Sequence, residues 1–451
     1  MSKTIAKGTL SERKKALVRV LGCKVNQAEA EAIAQMLESL GYYIDDSTDA
    51  PDIIVVNTCC VTSKAEGKSR RMVNRLAGKF PAARMIVTGC LAEINPSSLQ
   101  QVAPAAILLG TFEKERFSDF IAHAPADVNS PGDCEVSAGG APVSLGTSRI
   151  RGRSRAFLKV QDGCSQSCSY CIVPSARGPS RSLPADEILL NARNLDASGY
   201  AEIVLTGIHL GSYGRDLDFP IGLDDLLERL LAECPSTRFR LSSVEPQEIT
   251  HRLIELAARH PGVCRHFHIP LQSGDDNILS RMGRPYNSAF IRDLMDRILS
   301  STPETCIGLD VMVGFPGEDE EAFSNTLTLV RDSGAAYLHV FPFSPRPGTP
   351  AASFKSRVPE KISRQRVEEL RALSRAMRRR FYERFIGTTF FAVLESEPDP
   401  KTGLVVARTD NYIPVQVEPA PDNLRKHAFP VTLQRILDEK VLGSYGRAGI
   451  E

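Results

Sequence analysis

Gln161-Asp-Gly-Cys-Ser-Gln-Ser-Cys-Ser-Tyr-Cys-Ile-Val-Pro-Ser-Ala-Arg177 is the stretch on which the reading of this chain turns. Within it Cys164, Cys168 and Cys171 stand in a C-x₃-C-x₂-C spacing, with Tyr170 directly before the last cysteine. Thiolates are soft ligands that suit zinc or iron–sulfur clusters. A structural zinc site takes four ligands, usually from paired C-x₂-C knuckles. An electron-transfer cluster also takes four cysteines. Three thiolates this close leave one iron of a [4Fe–4S] cube open, and an open position is what a catalytic metal needs.

Around that loop, short apolar strands recur at Phe157–Val160, Ile203–Leu205, Phe239–Leu241, His266–Ile269, Gly308–Val313 and Tyr337–Phe341, mostly separated by helical stretches. The pattern predicts a partial (β/α)₆ barrel with its chemistry at the carboxyl ends of the strands. Polar and glycine-containing turns stand at those ends: the cysteine loop, Thr206–Gly211, Ser242–Pro246, Pro270–Gly274 and Gly314–Glu318. His209, His266 and His268 are read as structural, and Cys234, Cys264 and Cys306 lack any ligand spacing.

The N-terminal third alternates strand and helix: Ala16–Leu21, Gln27–Leu40, Asp52–Val56, Ser63–Lys79 and Arg84–Val87. Alternation of this kind predicts an open parallel α/β sheet. Cys23, Cys59 and Cys90 each follow the end of one of these strands. Ligands collect outside the carboxyl ends of strands in open α/β sheets, so these three predict a second three-cysteine cluster. Cys59 has Cys60 as neighbour, and successive side chains at a strand end face opposite ways. Cys59 is the expected ligand, because it occupies the turn position matching Cys23 and Cys90.

The cysteine loop with its aromatic resembles that of the radical S-adenosylmethionine (SAM) superfamily. With the second set, the chain resembles the methylthiotransferases: Leu21-Gly-Cys-Lys-Val-Asn-Gln27, Asn57-Thr-Cys59 and Val87-Thr-Gly-Cys90 match that family's three N-terminal motifs. Lys24-Val25-Asn26-Gln27 resembles the branch acting on N6-threonylcarbamoyladenosine in tRNA. The isopentenyladenosine branch usually has Gln-Met-Asn there, and the ribosomal-protein branch Pro-Lys-Asn. Cys60 departs from the usual alanine. The resemblance implies two [4Fe–4S] clusters. The one on Cys164, Cys168 and Cys171 reduces SAM to a deoxyadenosyl radical. The one on Cys23, Cys59 and Cys90 delivers sulfur, methylated from a second SAM, to C2 of the adenosine at position 37. It also implies that SAM meets Gly207 at its methionine end, Glu245 at its ribose, and Gly314 and Tyr170 at its adenine, with Ser243 a further SAM-binding residue. The implied partners are the tRNA anticodon loop, read through splayed bases, a flavodoxin- or ferredoxin-type reductant and a sulfur donor. The rivals are a methylthiotransferase acting on a ribosomal-protein aspartate or on isopentenyladenosine in tRNA, or a non-catalytic iron–sulfur RNA-binding protein.

The rest of the chain fits a large multidomain protein. Residues 122–149, rich in Pro, Gly, Ala and Ser with a lone Cys134, read as a linker between an α/β domain at 14–121 and a barrel domain at 150–384. Lys355–Arg384 is a basic helix carrying Arg378-Arg-Arg380, and residues 385–447 alternate β-branched residues and turns, which predicts a small β-barrel. Position and size there resemble the RNA-binding TRAM module. Eleven cysteines without a secretory leader argue against a disulfide framework and point to the cytoplasm. No apolar run reaches the roughly 18 residues of a membrane span. A net charge of +1 leaves RNA binding to local patches such as Arg70, Arg71 and Arg75.

Overall fold

The computed structural model describes residues 14–113, 117, 120–121, 155–398, 404–417 and 427–445; the expected linker and Cys134 lie outside the described residues. The described residues fall into two compact units. The first comprises the N-terminal third together with Gly163–Ser165 and Ile172–Pro179, and the second holds the remainder.

In the first unit the chain runs β1 (Lys15–Val20), α1 (Lys24–Ser39), β2 (Tyr43–Ile44), β3 (Ile53–Thr58), α2 (Ser63–Lys79), β4 (Arg84–Gly89), α3 (Cys90–Ile94), α4 (Pro96–Gln100) and β5 (Ile107–Leu109). The strands form one sheet in the order β2-β1-β3-β4-β5, parallel throughout. All six residues of β3 are buried, as expected for a central parallel strand covered on both faces. α1 begins at Lys24 rather than Gln27, because Cys23 takes extended backbone and caps it. α2 begins where expected: the Thr62 side chain accepts from the Ala65 amide, satisfying one of the open donors of the first turn.

The second unit carries β6 (Arg155–Lys159) and β7 (Gln161–Asp162) before the cysteine loop. The helix after that loop, α5 (Val173–Arg177), belongs to the first unit. Then come β8 (Arg181–Ser182), α6 (Ala185–Ala197), β9 (Glu202–Thr206), α7 (Leu223–Glu233), β10 (Arg238–Leu241), α8 (His251–Arg259), β11 (His266–Gln272), α9 (Asp276–Met282), α10 (Ser288–Ser301), β12 (Cys306–Val313), α11 (Glu320–Asp332), β13 (Tyr337–Pro342) and α12 (Glu360–Glu383). Two three-stranded parallel sheets, β6-β9-β10 and β11-β12-β13, meet through the isolated bridges Phe239–Val263 and Ser243–His268. The six strands thus follow one another in chain order as an open (β/α)₆ barrel.

A closed five-stranded barrel follows, built from β14 (Thr389–Pro398), β15 (Val405–Thr409), β16 (Pro414–Val417), β17 (Ala428–Leu437) and β18 (Lys440–Tyr445). It caps the amino ends of the parallel strands. Arg238 donates to the carbonyls of Phe391 at 2.8 Å and Arg408 at 2.9 Å, and Arg240 to those of Thr409 and Asp410, both at 3.0 Å. The Tyr412 ring stacks on His266 with centroids 4.1 Å apart. Both arginines also hold Glu202, which is completely buried at the start of β9. Burial alone would keep that carboxyl protonated, but Arg240 and Arg238 hold it well below the usual carboxylate range. This capping leaves the carboxyl ends of the barrel strands as the end for ligands.

Candidate functional site

The three N-terminal cysteines meet at the carboxyl edge of the first sheet. Gly22 has φ +117, and a Cβ there would fall 3.0 Å from the Cβ of Cys59. Only glycine lets the turn carrying Cys23 cross so close to the turn carrying Cys59. Asn26 ties the two turns, its Nδ2 donating to Leu21 O at 2.8 Å and Thr58 O at 2.9 Å. Ser69 of α2 fixes the Cys59 backbone, accepting from its amide at 3.1 Å and donating to its carbonyl at 2.9 Å. At the neighbouring strand Gly89 has φ +95, and a Cβ there would fall 2.4 Å from Thr58 O. Cys90 follows it, opening α3.

Cys59 and Cys60 part company here. Cys60 is fully buried in an apolar cluster with Leu17, Ile54, Val73 and Leu91, and its thiol donates to the carbonyl of Cys90 at 3.3 Å. Cys59 faces the other two cysteines. Burial pushes its thiol up to about 11, Cys90 and Cys23 push the same way, and Arg177 pulls it back. Cys23 and Cys59, both pushed up by burial and by neighbouring thiols and drawn back by Arg177, form with Cys90 a donor set suited to a cationic thiophilic centre, whose binding displaces the thiol protons.

In the second unit Cys168 and Cys171 are held within their loop, the Cys171 amide donating to Cys168 O at 3.1 Å. Ser169 between them pins the loop to the end of α9: its amide donates to Met282 O at 2.9 Å and its hydroxyl to Arg281 O at 2.8 Å. Cys164 belongs to the first unit, where its amide donates to Gly178 O at 3.0 Å. Arg284 ties one of the expected SAM contacts, Glu245, to the cysteine loop. Its Nη1 donates to the sulfur of Cys168 at 3.2 Å, its Nη2 pairs with Glu245, and its Nε donates to the Tyr286 hydroxyl at 2.8 Å. Burial pushes the Glu245 carboxyl up, and Arg284 opposes the shift. Tyr170 meets the buried ring of Phe315 edge-on at 6.4 Å, next to Gly314, whose φ is +77 and whose Cβ would fall 2.3 Å from Ser363 Oγ.

Tyr170, Glu245 and Gly314 thus stand with Cys168 at the carboxyl ends of β10 and β12. Gly207 turns over Gln161, whose Oε1 would lie 2.8 Å from an added Cβ, and Ser243 forms the seam bridge to His268. Arg177 and Arg284 are the residues that motif reading missed. Arg177 closes the opening stretch itself, and Arg284 follows a Met-Gly pair; neither position carries a spacing that marks it. His268, Asp310 and His339 bring one ligand-type atom each within 4.8 Å of one another, tied by a His268–Asp310 contact of 2.9 Å. On the basic helix, Arg366 is buried against Glu318 at 2.7 Å and Arg378 pairs with Glu439 at 2.9 Å. Arg366 thus serves the fold, whereas Arg378 meets its partner at the surface.

Comparison with known proteins decides the family. The radical SAM superfamily matches residues 158–330, and an uncharacterized family, UPF0004, matches residues 15–110. The threonylcarbamoyladenosine tRNA methylthiotransferase MtaB of Bacillus subtilis is 35% identical over 90% of this chain and 91% of its own length. The chain belongs to the radical SAM methylthiotransferases, in the threonylcarbamoyladenosine tRNA branch. The MtaB of Thermotoga maritima is also 35% identical, over 82% of this chain and 84% of its own. A tRNA-2-methylthio-N6-dimethylallyladenosine synthase of Pelotomaculum thermopropionicum is 32% identical over 88% of this chain and 90% of its own. Among solved structures the radical SAM methyltransferase TsrM of Kitasatospora setae, with cobalamin and a [4Fe–4S] cluster bound, aligns with a TM-score of 0.54 at 14% identity. That alignment covers 75% of this chain and 74% of TsrM, and at that identity it speaks for the fold alone. As a radical SAM methylthiotransferase the chain is an enzyme that uses an iron–sulfur cluster and SAM. No helix among the described residues is long and apolar enough to cross a membrane.

Proposed function

We propose that this methylthiotransferase adds a methylthio group to C2 of N6-threonylcarbamoyladenosine at position 37, beside the anticodon of tRNA. The observation that carries this reading is the second thiol set. Cys23, Cys59 and Cys90 lie in electrostatic reach of one another, on a sheet edge separate in sequence from Cys164, Cys168 and Cys171. Adenine C2–H is not acidic, so a side-chain base cannot remove it, and radical chemistry must come from a cofactor. Cys164, Cys168 and Cys171 would hold a cluster able to supply the electron that cleaves SAM, and Cys23, Cys59 and Cys90 one able to supply the sulfur.

The chain's own residues then have separable roles. Arg284 orients Glu245 and meets Cys168, fixing a carboxylate that would meet the SAM ribose. Tyr170 and Gly314 would line the adenine side of SAM, and Gly207 would give its methionine end room. Residues 14–121 serve as the sulfur-delivering domain and 150–384 as the radical domain, joined through 122–149. Residues 385–447 form a barrel that holds RNA. A flavodoxin- or ferredoxin-type reductant and a sulfur donor complete the cycle in the cytoplasm. Lys24-Val25-Asn26-Gln27 and the MtaB relatives support the threonylcarbamoyl substrate, while the 32% identity to a dimethylallyladenosine synthase names the competitor.

Nucleoside mass spectrometry of tRNA from a deletion strain tests the substrate. The 2-methylthio-threonylcarbamoyl nucleoside should vanish and its unthiolated precursor accumulate. Loss of the 2-methylthio-isopentenyl nucleoside instead would move the enzyme to the other tRNA branch, and loss of methylthio mass from a ribosomal protein would overturn the RNA reading.

A further inference from the structure

Arg177 ends α5 in the tail of the cysteine loop, yet it belongs to the N-terminal unit and is only 1% exposed. A buried guanidinium cannot shed its proton, so it needs partners on every side. Its Nη1 donates to Glu29 Oε1 at 3.0 Å, and its Nη2 to Asn26 Oδ1 at 2.6 Å and Glu29 Oε2 at 3.3 Å. Its Nε donates to the sulfur of Cys90 at 3.3 Å. The carboxylate therefore takes one edge of the fork and the cysteine the other, so Cys90 meets an N–H with no carboxylate between them. The anchoring groups are not incidental. Asn26 ties the turns of Cys23 and Cys59, and Glu29 also accepts from Asn57 Nδ2 at 3.3 Å.

We propose that Arg177 is a positioning residue for the N-terminal cysteine edge. It aims Cys90 Sγ through an Nε–H···S hydrogen bond and sets a fixed positive charge beside the cluster that Cys23, Cys59 and Cys90 would hold. This rests on the cluster reading given above. Hydrogen bonds to sulfur and local charge are among the levers that set an iron–sulfur cluster's reduction potential. A cluster with three thiolate ligands grows more negative on reduction, so a nearby cation and an N–H donor both favour the reduced form. The tail of the radical loop thereby tunes the sulfur-delivering site.

The test uses the full-length chain with Cys164, Cys168 and Cys171 replaced by alanine, so that reconstituted iron reports on the N-terminal set alone. If this parent bound no iron, the cluster reading and the role of Arg177 would fall together; a loaded parent isolates the arginine. Into it go Arg177→Gln with Glu29→Gln, which removes both charges and keeps neutral hydrogen-bonding groups. At the potential where the parent is half reduced, the double variant should be about tenfold less reduced by electron paramagnetic resonance. Arg177→Lys keeps the charge but loses the fork, and should shift the same way by about threefold; it serves alone if the double variant does not fold. Loss of iron in a variant with the parent's circular dichroism would support the positioning role. An unchanged reduced fraction and spectrum in variants that load iron would overturn the proposal and leave Arg177 a buried ion pair for folding only.

Discussion

The two thiol sets solve the same problem from opposite ends of the chain's logic. One is written within a single loop, Cys164 to Cys171, and the other is scattered from Cys23 to Cys90 and gathered by the parallel order of β1, β3 and β4. Yet each has one buried arginine with an N–H on a cysteine sulfur: Arg284 on Cys168 at 3.2 Å and Arg177 on Cys90 at 3.3 Å. Each arginine has its own carboxylate, Glu245 for the first and Glu29 for the second. A cysteine spacing can be local, but the guanidinium that meets the sulfur comes from elsewhere in the fold. Arg284 is remote in sequence from Cys168, and Arg177 from Cys90.

The largest effect comes from deleting either set whole. Replacing Cys164, Cys168 and Cys171 by alanine should abolish reductive SAM cleavage. Replacing Cys23, Cys59 and Cys90 should leave that cleavage intact while methylthio transfer is lost. High-pressure liquid chromatography of the SAM products and the tRNA nucleosides separates the two, and equal loss of both activities in both variants would erase the distinction between the sets.

A sharper cut runs between neighbours. Cys59→Ala should lose transfer, whereas Cys60→Ala should keep it and cost about 1 kcal/mol of stability from a small cavity in the apolar cluster. Thermal melting beside the transfer assay reads both, and transfer lost only in Cys60→Ala would reverse the ligand assignment. The arginine of the radical set can be broken alone as well. Arg284→Met leaves the half-buried Glu245 without its arginine, at a cost of about 2–3 kcal/mol, below that of a fully buried pair. Urea unfolding should show that cost largely relieved by adding Glu245→Gln. If the second substitution brought no relief, Glu245 would not be the arginine's counter-charge.

The smallest effect on either cluster should come from Glu202, which engages two buried arginines but no candidate ligand cysteine. Its folded pKa is depressed below the unfolded value. It therefore contributes stability that is fully present above the ordinary glutamate range and is lost as pH falls through the depressed folded value. Glu202→Gln should lower the melting temperature at neutral pH, narrow its gap to the parent in acid, and leave iron content unchanged. A gap that widened in acid would refute the depressed pKa.

What was legible follows from distance along the chain. The barrel strands and Ser63–Lys79 announced themselves by local periodicity and a cap. β2 and β5, of two and three residues, are too short for any period to register. The convergence of Cys23, Cys59 and Cys90 was readable because each follows a strand in a parallel sheet. Arg177 lay in the most closely read stretch, yet its partners Glu29 and Asn26 are 148 and 151 residues away. Likewise Arg238 and Arg240 carry no local mark, because the barrel carbonyls they meet come 153 to 170 residues later.

The most direct measurement of the central claim is iron and sulfide per chain, with Mössbauer spectroscopy, after anaerobic reconstitution. Two [4Fe–4S] clusters predict about eight irons in the parent and about four in each triple-cysteine variant. A parent holding only about four, or a Cys23/Cys59/Cys90 variant that kept all its iron, would contradict the account.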